Sequence, residues 1–319
     1  MKPQRRWARY IALLSALAMI LAACGGGGSG SSDNGEGRLS GIDIAVGSKD
    51  FDEQLILGNI MVGAFTRAGA NVDNKVNLGG TQVARSALLS GEIDTYMEYN
   101  GTGWAEHLKN SDPPSNDPQT LTEAVRKQDL EQNNIHWLGR APFNNTYGFV
   151  SSPAVTEENG GEAYDFQGMA DYLAAHSDAT LCLESEFPDR ADGLVLFEDA
   201  TGYQVPDSQI TILDTGPIYQ QTNDNKCDFG EVFTTDGRIG GMDITLVKDP
   251  GVMILYNISM NIRDDKYQEA PDAFDAIADE LLNPLTQEKM TELNTEVSFN
   301  GKQPEDVANA YLDEIGFNG

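Results

Sequence analysis

Ile93, Thr95, Met97 and Tyr99 alternate with Asp94, Tyr96 and Glu98, a period of two that predicts a strand with one face turned inward. Leu57, Ile60, Met61, Ala64 and Phe65 follow the helical period instead and predict a helix whose apolar stripe faces a core. Val83, Ala84, Ala87 and Leu88 predict the inner face of a second helix, opened by Gly79-Gly80-Thr81 and closed by Gly91. Strands are expected over 41–47 and 71–78, so this stretch reads β-α-β-α-β, the order of a parallel sheet with crossover helices. Asp50 followed by Glu53 has the form of a capping box for the first helix.

The pattern restarts after Val150, with helices expected over 166–176 and 218–225 and strands over 179–183, 210–213 and 229–233. Asn100, Gly101 and Gly103 end the strand at Tyr99 and leave Tyr99 and Thr102 at its carboxyl end. Phe233 runs into Thr234-Thr235-Asp236-Gly237 in the same way. Ligands of open α/β sheets bind outside the carboxyl ends of the strands, so each ending delivers a ring and hydroxyls to a candidate site. The plainer reading of Tyr99 is a buried ring that ends a strand. Two irregular extended stretches, 141–150 and 253–260, separate the halves, and 270–319 is largely helical. Two α/β lobes joined by two crossings describe a hinged clamp with a ligand cleft. Lys49 lies between a strand end and a helix start, where anion sites are often built; otherwise it is a solvated lysine.

The amino terminus adds a location. Lys2, Arg5, Arg6 and Arg9 precede a short apolar run that closes on Leu21-Ala22-Ala23-Cys24, which reads as a signal segment, too short for a spanning helix. The Leu-Ala-Ala-Cys order resembles the bacterial lipobox, which implies removal of residues 1–23 and lipid on Cys24; an ordinary signal peptide and an uncleaved anchor helix are the alternatives. Residues 24–38, with a run of Gly and Ser, read as a flexible tether. The formal charge of −29 argues against nucleic acid as a partner and against wide contact with anionic lipid. Cys182 and Cys227 read as a disulfide or as two buried thiols. His107, His136 and His176 are scattered and read as surface or loop residues, with neither metal-ligand spacing nor a Ser-His-Asp arrangement. Glu92, Asp94 and Glu98 read as a solvated or capped face rather than as paired catalytic acids.

Six motifs in order carry a resemblance: Gly47-Ser48-Lys49-Asp50-Phe51-Asp52-Glu53-Gln54, Leu78-Gly79-Gly80-Thr81, the 91–102 stretch, Asn144-Asn145-Thr146-Tyr147, Glu186-Phe187 with Arg190 and Asp192-Gly193, and Thr235-Asp236-Gly237-Arg238-Ile239. In them the chain resembles the substrate-binding lipoproteins of ABC importers for glycine betaine, choline and related quaternary amines. The resemblance implies an α/β, two-lobed periplasmic-binding-protein type II clamp with the ligand between the lobes. Lobe I would take 39–145 plus 262–319, and lobe II 146–261. It also implies an aromatic cage at Tyr99, Tyr147, Phe233 and Tyr256, with Phe233 where a tyrosine is usual. Lys49, Thr102 and Arg190 would hold a ligand carboxylate. The implied partners are a zwitterionic or cationic quaternary amine, such as glycine betaine, choline, carnitine or proline betaine, and an ABC permease with its ATPase subunit. A monomer held to the membrane by its lipid alone is expected, with no enzymatic activity, cofactor, metal or nucleic acid. Ergothioneine or an amino-acid-like solute is the alternative ligand, and a surface enzyme or adhesin the alternative class.

Overall fold

In the computed structural model, which describes residues 37–111 and 113–319, two five-stranded sheets carry the chain. The expected leader, Cys24 and nearly all of the tether lie outside these residues. The first sheet has the order β2-β1-β3-β10-β4, built from Asn71–Lys75 (β2), Asp43–Gly47 (β1), Thr95–Tyr99 (β3), Ile258–Arg263 (β10) and Ile135–Leu138 (β4). The second has the order β7-β6-β8-β5-β9: Ile210–Ile212, Leu181–Leu183, Phe229–Phe233, Tyr147–Ser151 and Thr245–Leu246. Each sheet is a parallel trio flanked by a strand that arrives antiparallel from a crossing. β10 pairs with β3, and β5 with β8. The carboxyl ends of β3 and β8 therefore point to the same cleft.

The crossings run side by side. Residues 139–146 lead from β4 to β5, and 252–257 lead back to β10. Asn145 N donates to the Tyr256 carbonyl at 3.0 Å and Thr146 Oγ1 to the Ile254 carbonyl at 2.7 Å. β10 begins at Ile258, inside the 146–261 range expected for the second lobe. Its residues pair with β3 and β4 and belong to the first sheet.

The helix Asp52–Arg67 buries Leu57, Ile60, Met61, Ala64 and Phe65 completely, as its period predicts. The capping box does not form: Phe51 occupies the cap position without a side-chain bond, and Glu53 turns inward. In the helix Thr81–Ser90, Val83 is half-exposed, and Arg85 is buried instead through a bidentate pair with Asp129 at 3.0 and 2.5 Å. β3 is buried at all five positions rather than on one face, because the helices Asp52–Arg67 and Thr81–Ser90 both pack against it. Glu98 and the side chain of His107, expected in solvent, are buried together. In the second lobe, Cys182 on β6 and Cys227 before β8 form a disulfide, with Cα atoms 5.9 Å apart.

Candidate ligand-binding site

Five rings close a circuit in the cleft. Phe51 stacks on Phe233 at 5.0 Å between centroids, and Phe233 meets Tyr147 at 5.4 Å. Tyr147 meets Tyr256 edge-on at 5.4 Å, Tyr256 meets Tyr99 at 6.2 Å, and Tyr99 returns to Phe51 at 6.4 Å. Both lobes and a crossing contribute: Phe51 follows β1, Tyr99 ends β3, Tyr147 opens β5, Phe233 ends β8, and Tyr256 lies on the second crossing. All five line one cavity with about 60 Å³ of water-accessible space. The structure thus brings together the four rings singled out from the sequence and adds Phe51. That ring was missed because it sits in a stretch that reads as a helix cap. Its position directly after β1 was the available signal.

Tyr99 is fixed at both ends. Its backbone N–H donates to Glu98 Oε1 at 2.8 Å, and its hydroxyl donates to Glu53 Oε1 at 2.7 Å. Glu53 also accepts from Asn145 Nδ2 at 2.8 Å, Thr235 Oγ1 at 2.7 Å and Asn294 Nδ2 at 2.7 Å. One carboxyl therefore ties β3, the first crossing, the loop after β8 and the helix Gln287–Ser298. Burial raises its pKa, and these four donors only partly offset the rise. Burial also pushes the Tyr99, Tyr147 and Tyr256 phenols far up, so all three hydroxyls stay neutral.

The polar residues singled out for a ligand carboxylate already have partners. Lys49 Nζ donates to Glu98 Oε1 at 2.7 Å and stands 5.2 Å from the centre of the Tyr99 ring. Arg190 forms a bidentate pair with Asp192 at 2.7 Å on both arms. It also donates to Thr81 Oγ1 at 3.3 Å and to Thr102 Oγ1 at 3.4 Å, across to the first lobe. Asp192 accepts a further bond from the Tyr256 hydroxyl. Lys49, Thr102 and the five rings line the cavity; Arg190 stands behind that wall. Asp50, Glu184 and Glu186, none of them expected from the sequence to line the ligand site, complete it on the acidic side. Past Phe51 and Phe233 the cleft widens into an outer space of about 520 Å³, edged by Asp52, Asp214, Asp236, Arg238 and Ser298.

Two α/β lobes, a paired hinge and a ring-lined pocket between them define a solute-binding clamp. The chain belongs to the OpuAC family, the substrate-binding domain of ABC-type glycine betaine transport systems, which it matches over residues 42–314. It is 28% identical over 319 residues to the glycine betaine-binding protein YehZ of Escherichia coli K12, covering 98% of this chain and 97% of that one. The apo YehZ structure superimposes with a TM-score of 0.61 at 30% identity, covering 86% of this chain and 99% of YehZ. The carnitine transport binding protein OpuCC of Listeria monocytogenes is 26% identical over 97% of both chains. The ergothioneine transport permease/ergothioneine binding protein EgtU of Helicobacter pylori is 30% identical over 86% of this chain, and the match spans 48% of EgtU. This protein is therefore a substrate-binding protein of the ABC-type glycine betaine transport family.

Proposed function

We propose that the chain captures a quaternary ammonium osmolyte in the five-ring circuit: glycine betaine, choline, carnitine or proline betaine. The circuit carries this reading. A quaternary ammonium has no N–H to donate, so ring faces are the means of holding it, at about 0.5–2 kcal/mol for each favourable contact. Tyr99, Tyr147, Phe233, Tyr256 and Phe51 supply those faces, and Phe233 contributes its ring without a hydroxyl. Lys49, Thr102 and Arg190 stand beside the cavity or behind its wall, where the second end of the ligand would lie. The outer space past Phe51 and Phe233 leaves room for a longer tail, which favours ergothioneine as the second reading. The closed form delivers its ligand to a permease driven by an ATPase subunit, and lipid on Cys24 holds the monomer at the outer face of the cell membrane. The chain itself catalyses nothing.

Calorimetry with glycine betaine, choline, carnitine and ergothioneine tests the reading. Tyr147→Ala and Tyr99→Ala each weaken binding more than tenfold, about 1.4 kcal/mol or more. Wild-type protein that gives no heat with any of these amines, or affinities untouched by both substitutions, overturns it.

A further inference from the structure

We propose that Glu186 sets which second end the ligand carries, favouring a cation with an uncharged hydrogen-bonding tail over a zwitterion with a carboxylate. The inference rests on the ring circuit as the seat of the ammonium head. The helix Thr81–Ser90 points its amino terminus at the cavity and has no side-chain cap of its own. Glu186, from the opposite lobe, supplies one: its Oε1 accepts the Thr81 N–H at 3.1 Å, and its Oε2 lies 3.5 Å from Arg190 Nη1. Gly80 makes room for this approach. Its backbone angles, φ −69° and ψ −175°, suit any residue, but a Cβ there would collide with Glu186 Oε1. The helix terminus, Thr81 and Arg190 form the seat a ligand carboxylate would need, and a carboxylate of the protein fills it.

The charge around the cavity points the same way. Lys49 is neutralised by Glu98 and Arg190 by Asp192. The cavity wall carries Asp50, Glu184 and Glu186 against Lys49. A ligand carboxylate must displace Glu186 or lie beside it, and like charges at that range repel. A hydroxyl tail can donate to Glu186 and leave the cap in place.

The test compares glycine betaine with choline by calorimetry on the wild-type chain and on Glu186→Gln. Glutamine keeps an acceptor for Thr81 N–H and removes the charge. The expected result is tighter betaine binding and weaker choline binding in Glu186→Gln, a shift of about tenfold in their affinity ratio. A second variant, Glu186→Ala, gives the same direction if the charge decides. Both amines bound by the wild type with an unchanged ratio in both variants, or a ratio shifted toward choline, overturns the role of Glu186 and leaves the ring site standing. Wild-type protein that binds neither amine overturns both.

Discussion

β3 ends in Glu98-Tyr99 and β8 in Glu231-Val232-Phe233, and each strand brings one buried glutamate to the cleft. Their surroundings differ. Glu98 receives four donors: Lys49 Nζ, Tyr99 N, the Tyr96 hydroxyl at 2.8 Å and His107 Nε2 at 2.9 Å. A carboxylate can only accept, so Nε2 of His107 carries its proton. Glu231 has one backbone donor, Glu184 N at 2.8 Å. Burial raises both acids, but the Lys49 ammonium and His107 overturn that for Glu98 and hold it far below its ordinary 4.5. Glu231 has no cation bonded to it; burial and the neighbouring Glu184 and Glu186 push it up to about 8, against the weaker downward pull of the Glu184 N–H and the Arg190 charge. Equal burial thus gives opposite charge states, and the cation on the loop after β1 makes the difference.

The two acids therefore pull stability in opposite directions with pH. For Glu98, with its folded pKa depressed, the contribution is present above 4.5 and is lost as pH falls through the folded value. For Glu231, with its folded pKa raised, the contribution is complete below 4.5 and is lost as pH rises toward about 8. The largest break in the comparison is Lys49→Met, which leaves Glu98 buried without its cation. Urea unfolding at pH 7 then shows a loss of about 3–5 kcal/mol, the cost typical of stripping one partner from a buried pair. A loss below about 1 kcal/mol means that the neutral donors alone hold Glu98 ionised. Glu231→Gln comes next and acts in the other direction. At pH 8 the variant is more stable than wild type by on the order of 1–3 kcal/mol, and at pH 4 the two agree. A difference independent of pH would show that Glu231 does not titrate in this range.

How far these differences were legible in the sequence depends on which period carried them. The helix stripe at Leu57, Ile60, Met61, Ala64 and Phe65 and the restart of the β/α pattern after Val150 follow from spacing alone, and so does the pair of crossings. Alternation misled at β3, because a strand covered on both faces buries Glu98 as deeply as Met97. The same local logic misled at Asp50 and Glu53: three-residue spacing fits a cap, yet the four partners of Glu53 lie 46 to 241 residues away in the chain. Glu186 was visible as part of a motif. Its role as a cap for a helix in the other lobe depends on the lobes meeting, which no local pattern encodes.

The rings at the two strand ends give the finest contrast. Tyr99 sends its hydroxyl to Glu53, whereas Phe233 has none to send, and its backbone N–H donates to the Tyr219 hydroxyl at 2.9 Å. Tyr99→Phe makes the end of β3 chemically like the end of β8. It keeps the ring face and removes one of the four donors to Glu53, so the Glu53 carboxyl rises further. Stability falls by about 1 kcal/mol, the usual net worth of one buried hydrogen bond. The loss is larger at pH 8 than at pH 5, because Glu53, like Glu231, resists ionisation in the fold. Affinity for glycine betaine falls by less than about threefold, against more than tenfold for Tyr99→Ala, since the ring face does the holding. Equal losses of affinity in Tyr99→Phe and Tyr99→Ala would move the function of Tyr99 from its ring to its hydroxyl, and with it the task of the circuit from binding a cation to fixing the hinge.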